Sequence, residues 1–80
     1  MDRPFEMTQQ QAVAFDTLSS LTDELGRAPS LSEIGARMGE SKAGVAGLMR
    51  RLRKIGAITG PVTVGVWKPT PLGKKLRRQA

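Results

Sequence analysis

Apolar residues recur along the first part of the chain at helical spacing. Ala14, Leu18, Leu21 and Leu25 follow one another at intervals of four, three and four, with Phe15 alongside, and so form one stripe on an α-helix. Thr8 stands where an N-cap belongs, Gln11 three positions on completes a capping box, and Gly26 suits a C-terminal cap. The helix cannot run through Arg27-Ala28-Pro29, because the Pro29 ring clashes with a continuing helix. A second, shorter stripe of Leu31, Ile34 and Met38 opens at Ser30, with Glu33 as its box partner, and stops at Gly39. The third stripe is Val45, Leu48, Met49, Leu52 and Ile55, capped by Ser41 and closed by Gly56. Residues 1–7 read as a short tail with Phe5 available to order part of it, and residues 8–80 as one domain.

After Gly56 the period changes from helical to alternating. Ala57-Ile58-Thr59 reads as a short strand, Gly60-Pro61 breaks it, and Val62, Val64 and Val66 alternate with Thr63, Gly65 and Trp67 in a second strand. Thr70-Pro71 is a cap followed by proline at the first helical position. In the closing helix Leu72 and Leu76 share one face, and Lys74, Lys75, Arg77 and Arg78 cover the rest. The connection Gly39-Glu40-Ser41 has the three- to four-residue, glycine-containing length of a helix-turn-helix. The predicted fold is therefore mainly α with a small β-hairpin: three helices, a two-stranded wing and a short C-terminal helix, the order of a winged helix-turn-helix.

Charge sharpens this picture. All seven acidic residues lie in positions 1–40 beside three basic ones, whereas positions 41–80 hold ten Lys and Arg and no acid, within a net charge of +6. A two-helix unit followed by a purely basic half suggests a face built for phosphate. With no Cys and no His, disulfides, thiolate or imidazole metal sites and His- or Cys-based catalysis are excluded. No phosphate-loop or dinucleotide motif is present, and the glycines other than Gly44 and Gly47 read as element ends or turns. The carboxylate pair Asp23-Glu24 falls on an exposed helix end and needs no catalytic role. Neither enzymatic activity nor a cofactor is expected. Nothing approaches the roughly 18 apolar residues of a membrane helix, and no signal-peptide pattern follows Met1, so the expected location is the cytoplasm. An 80-residue domain buries a small core, with stability on the order of 5 kcal/mol.

Specific residues carry a family likeness. The stretch MTQQQAVAFDTLSSLTDELGRAPSLSEIGARMG, residues 7–39, resembles the start of the DNA-binding domain of the LexA repressor family, in its Thr-capped first helix with Gln-Gln, Gly26, the Pro29-Ser30 cap, Glu33-Ile34, Arg37 and Met38-Gly39. Arg53-Lys54-Ile55-Gly56-Ala57-Ile58 is similar to that family's helix-to-wing junction. Thr70-Pro71-Leu72-Gly73 resembles the wing-to-helix junction of MarR-type regulators. Together the likenesses span residues 7–77. They imply a bacterial or phage transcriptional regulator that places helix 42–55 in the major groove of duplex DNA.

On that reading Ser41, Lys42, Ala43, Ala46, Gly47, Arg50, Arg51 and Lys54 face outward from the core stripe. Arg50 or Lys42 could donate to guanine, Ala43 and Ala46 could touch thymine methyls, and Arg51, Arg53 and Lys54 suit phosphates. Arg50 is thus expected to govern sequence preference and Arg53 to support binding to any sequence. Because the first two turns are Lys-Ala-Gly-Val-Ala-Gly, base specificity is expected to be modest. Gly44 and Gly47 either permit close approach of the backbone to a partner or are surface substitutions in a helix held by its core. Further phosphate contacts are expected from Thr63 in the uncharged wing, Lys68, Lys74 and Lys75. Trp67 is either a stacking platform or core packing, and packing is the expectation. Two other partners fit the pattern: a second copy of the chain, paired through Leu72 and Leu76, and a protein component of transcription, replication or phage packaging docked on the smooth Ala-Gly face.

Overall fold

The computed structural model describes residues 7–60 and 67–79. Four helices and a short antiparallel strand pair follow in the order α1 (Gln9–Leu25), α2 (Leu31–Met38), α3 (Lys42–Lys54), β1 (Ile58–Thr59), β2 (Lys68–Pro69) and α4 (Pro71–Gln79). Among the described residues no helix is long and apolar enough to cross a membrane.

The helix starts follow the caps seen in the sequence. The Thr8 and Ser30 hydroxyls accept from the amides of Gln11 and Glu33, and each of these side chains accepts in return from the cap amide. Ser41 Oγ accepts from the Gly44 amide at 3.1 Å and so begins α3. Gly26 and Gly39 end α1 and α2 in the left-handed region, with φ of 67° and 72°. That conformation costs a side-chain-bearing residue energy and glycine little.

α1 packs on α2, α3, β2 and α4 and is the spine of the fold. Its Ala14, Phe15, Leu18 and Leu21 meet Ile34 of α2 and Val45, Leu48, Met49 and Leu52 of α3 in one apolar cluster. Leu25, read as the end of the stripe, is 39% exposed at the last position of α1. Met7, read as part of the tail, is 4% exposed and belongs to the core. Ala57, Ile58, Trp67 and Leu76 close the cluster from the C-terminal side.

The strand pair differs from its prediction. Ile58 pairs with Pro69 and Thr59 with Lys68, so the second strand begins one residue after Trp67. The alternating segment from Val62 to Val66 lies outside the described residues. Pro69 has no amide to donate, which a sheet of two strands among the described residues, each an edge, tolerates.

Two glycines read as ordinary ends or turns sit inside helices. Gly35 lies in α2, where a Cβ would stand 2.7 Å from the Glu40 carbonyl oxygen, and the Glu40 amide donates to Gly35 O at 2.9 Å. The absence of a side chain at Gly35 thus lets the turn into α3 fold back on α2. Gly73 does the same for α4, where a Cβ would collide with the Ala57 carbonyl and lie 2.6 Å from Phe15 Cε1.

Ion pairs tie the helices at the surface: Arg27 to Glu33, Arg37 to Glu24, and Arg77 to Asp16, each between 2.9 and 3.0 Å. The Arg27 guanidinium and the Ser30 amide hold the Glu33 carboxyl at about 2, below its ordinary 4.5. The Arg37 guanidinium lowers Glu24 as well. A carboxyl lowered on folding stabilises when ionised, so the Glu33 contribution is complete above pH 4.5 and is lost as the pH falls towards 2. Glu33→Gln keeps a box partner of the kind Gln11 supplies to α1. The melting-temperature gap between the native chain and this variant should therefore hold from neutral pH down to about 4.5 and close near pH 2. A gap that does not change with pH would refute this role.

Candidate nucleic-acid interface

α3 separates its residues by polarity around one axis. Val45, Leu48, Met49 and Leu52 are buried against α1, while Lys42, Ala43, Arg50, Arg51, Arg53 and Lys54 are exposed. Ser41 is exposed at the cap, and Ala46 and Gly47 are half-buried at the margin of the face. Among the described residues a Cβ on Gly47 would meet nothing within 4 Å, and one on Gly44 would meet only the Glu40 Oε2 and Ser41 Oγ side-chain atoms. Among the described residues no close approach of backbone requires either glycine.

The end of α3 is closed by backbone alone. The Gly56 amide donates to Arg53 O and the Ala57 amide to Leu52 O, with Gly56 at φ 81°, which is a Schellman motif. The Thr70 hydroxyl lies 2.7 Å from Gly56 O and 2.9 Å from Ala57 O and also accepts from the Gly73 amide, so one side chain fixes the junction and caps α4. The basic side chains of the last turn are not needed as caps. Arg50, Arg53 and Lys54 line an open cleft of about 480 Å³, together with Ile58 and Thr59 of β1 among the described residues.

The other expected contact residues are dispersed. Lys68 is exposed on β2 and borders a different hollow, of about 650 Å³, with Thr22, Asp23, Gly26, Arg27, Ala28 and Pro69. Lys74 and Lys75 are exposed on α4, and Thr63 lies outside the described residues. Trp67 is 3% exposed and packed in the core, so it offers no open stacking surface. Leu76 is buried in the same cluster and Leu72 is 45% exposed, so the two do not form a shared outer face for a second copy. The inner face of α4 is instead Gly73 with Leu76.

Electrostatics separate the cations into two groups. Arg27, Arg37 and Arg77 are paired with acids. Among the described residues, Lys42, Arg50, Arg51, Arg53, Lys54, Lys68, Lys74, Lys75 and Arg78 have no carboxylate within 4.0 Å. Such unpaired cations leave an uncompensated positive field over α3 and α4. Ile58 and Thr59 were not singled out from sequence as site residues. The available signal was their position directly after the glycine that ends a basic helix.

No protein family, curated protein or solved structure gives a significant match to this chain.

Proposed function

We propose that the protein is a winged helix-turn-helix module that binds duplex DNA, as a transcriptional regulator of bacterial or phage type working in the cytoplasm. The observation that carries this reading is the unpaired basic surface: the outward side of α3 presents five cations and no described acid lies beyond Glu40. α3 enters the major groove, α2 braces it through the tight Gly35–Glu40 turn, and α1 supplies the platform. Lys42, Ala43 and Ala46 face base edges, while Arg51, Arg53 and Lys54 neutralise backbone phosphates. Lys68, Lys74 and Lys75 extend the positive field, and on the wing reading Thr63 donates to a phosphate. The likeness to LexA- and MarR-type regulators supports the same assignment.

Few hydrogen-bonding side chains stand at the start of α3, so affinity comes mainly from charge and discrimination between sequences is modest. Titration of a labelled mixed-sequence duplex at low salt tests the proposal. Saturable micromolar binding is expected, and no binding overturns it. The second reading is a protein-docking module, favoured by Ala43 and Gly47, which leave a smooth surface with no described residue within 4 Å of the Gly47 Cβ position. It becomes the leading one if the chain ignores DNA and is retained by an acidic protein component.

A further inference from the structure

We propose that the cleft between the last turn of α3 and β1 is a phosphate-binding site, and that Arg50 grips a phosphate there and does not read a base. The proposal rests on the DNA-binding reading for the identity of the natural ligand, a backbone phosphodiester, but the cleft itself is an anion site.

Three observations converge on it. Arg50, Arg53 and Lys54 lie three and four positions apart on one helix face, where side chains are neighbours, and all three line the same cleft. Like charges at that spacing repel, and no described carboxylate stands within 4.0 Å of any of them to relieve the repulsion. Capping of the helix C-terminus does not require these cations either. The Leu52 and Arg53 carbonyls already accept from the Ala57 and Gly56 amides, and the Gly56 and Ala57 carbonyls lie within hydrogen-bonding distance of the Thr70 hydroxyl. A bound anion is the group that would satisfy this cluster.

The neighbouring wall suits a tetrahedral oxyanion. Thr59 is exposed on the cleft and brings a hydroxyl donor, and Ile58 is buried beneath it and holds the strand in place. Two guanidiniums and an ammonium can share the oxygens of one phosphate, the arginines through their planar forks. Lys42 and Ala43, at the opposite end of α3, lie outside the cleft and remain as base-facing positions.

The test has two arms. In the first, sodium pyrophosphate is titrated into the native chain at constant ionic strength while backbone amide resonances are followed. The largest shifts are expected at Lys54, Ile58 and Thr59, and they should disappear in Arg50→Gln. In the second, the native chain and Arg50→Gln are compared on a panel of duplexes of different sequence. A loss of about three- to tenfold on every duplex is expected, with the magnitude of the salt slope reduced by about one. Pyrophosphate shifts that miss the cleft would overturn the proposal, as would an Arg50→Gln variant that changes the ranking of the duplexes. Pyrophosphate binding at the cleft without any duplex binding would retain the anion site and refute the DNA reading.

Discussion

Simultaneous replacement of Arg50, Arg51, Arg53 and Lys54 by glutamine is expected to weaken duplex binding by roughly 30- to 700-fold while leaving the fold intact. Four exposed charge contacts at about 0.5–1 kcal/mol each amount to about 2–4 kcal/mol, and each 1.4 kcal/mol is tenfold in affinity. All four side chains are exposed, and none makes a hydrogen bond or an ion pair among the described residues. The Schellman closure of α3 uses backbone groups only, so the helix end does not depend on them. Relief of like-charge repulsion should roughly offset the lost interaction with the helix dipole, keeping stability within about 1 kcal/mol of the native chain. Fluorescence anisotropy with a labelled duplex measures the first quantity and thermal unfolding the second. A loss below threefold would show that the basic end of α3 is not where DNA is held.

Gly73→Ala is expected to be the most damaging single substitution, costing about 3 kcal/mol and lowering the melting temperature by roughly 12–24 °C. The added methyl would strike the Ala57 carbonyl and come within 2.6 Å of Phe15 Cε1. Neither can retreat. Ala57 and Phe15 are both buried, and Ala57 O accepts from the Thr70 amide at 3.0 Å and lies within hydrogen-bonding distance of its hydroxyl. α4 would have to lift away, taking Leu76 out of the core and breaking the Arg77–Asp16 pair. Gly47→Ala is the matched control, because no described residue stands within 4 Å of its Cβ position and alanine is favoured over glycine in a helix by about 1 kcal/mol. It should therefore stabilise. Equal responses of the two variants in urea unfolding would show that α4 is not seated on α1 as described.

Gly35 and Gly73 mark the boundary of what the chain discloses by itself. Caps are local, so Thr8 with Gln11, Ser30 with Glu33, and Ser41 are legible from three-residue spacing, and so are the stops at Gly26 and Gly39. The stripe of α3 is legible for the same reason, and with it the exposed positions of Lys42, Arg50, Arg51, Arg53 and Lys54. Gly35 and Gly73 look like any other glycine until the backbone that crosses them is known. Leu72 and Leu76 share a helical spacing, yet α4 is seated by Gly73 and Leu76, so Leu72 is turned out. Arg77 reads as one more basic residue of the closing helix, but a pair to Asp16, 61 positions away, takes it from the free positive surface. The cleft beside Arg50, Arg53 and Lys54 depends on β1 folding back beside α3, and its partner strand Lys68–Pro69 carries no alternating pattern of its own.

The most direct test of the central claim, that the basic half of this protein is a surface for duplex DNA, is the salt dependence of binding to a mixed-sequence duplex. Neutralisation of four to six phosphates predicts a log–log slope of roughly −3 to −6, with micromolar affinity at the lowest salt. A slope near zero, or no binding at low salt, would contradict the claim and leave the unpaired cations to a protein partner.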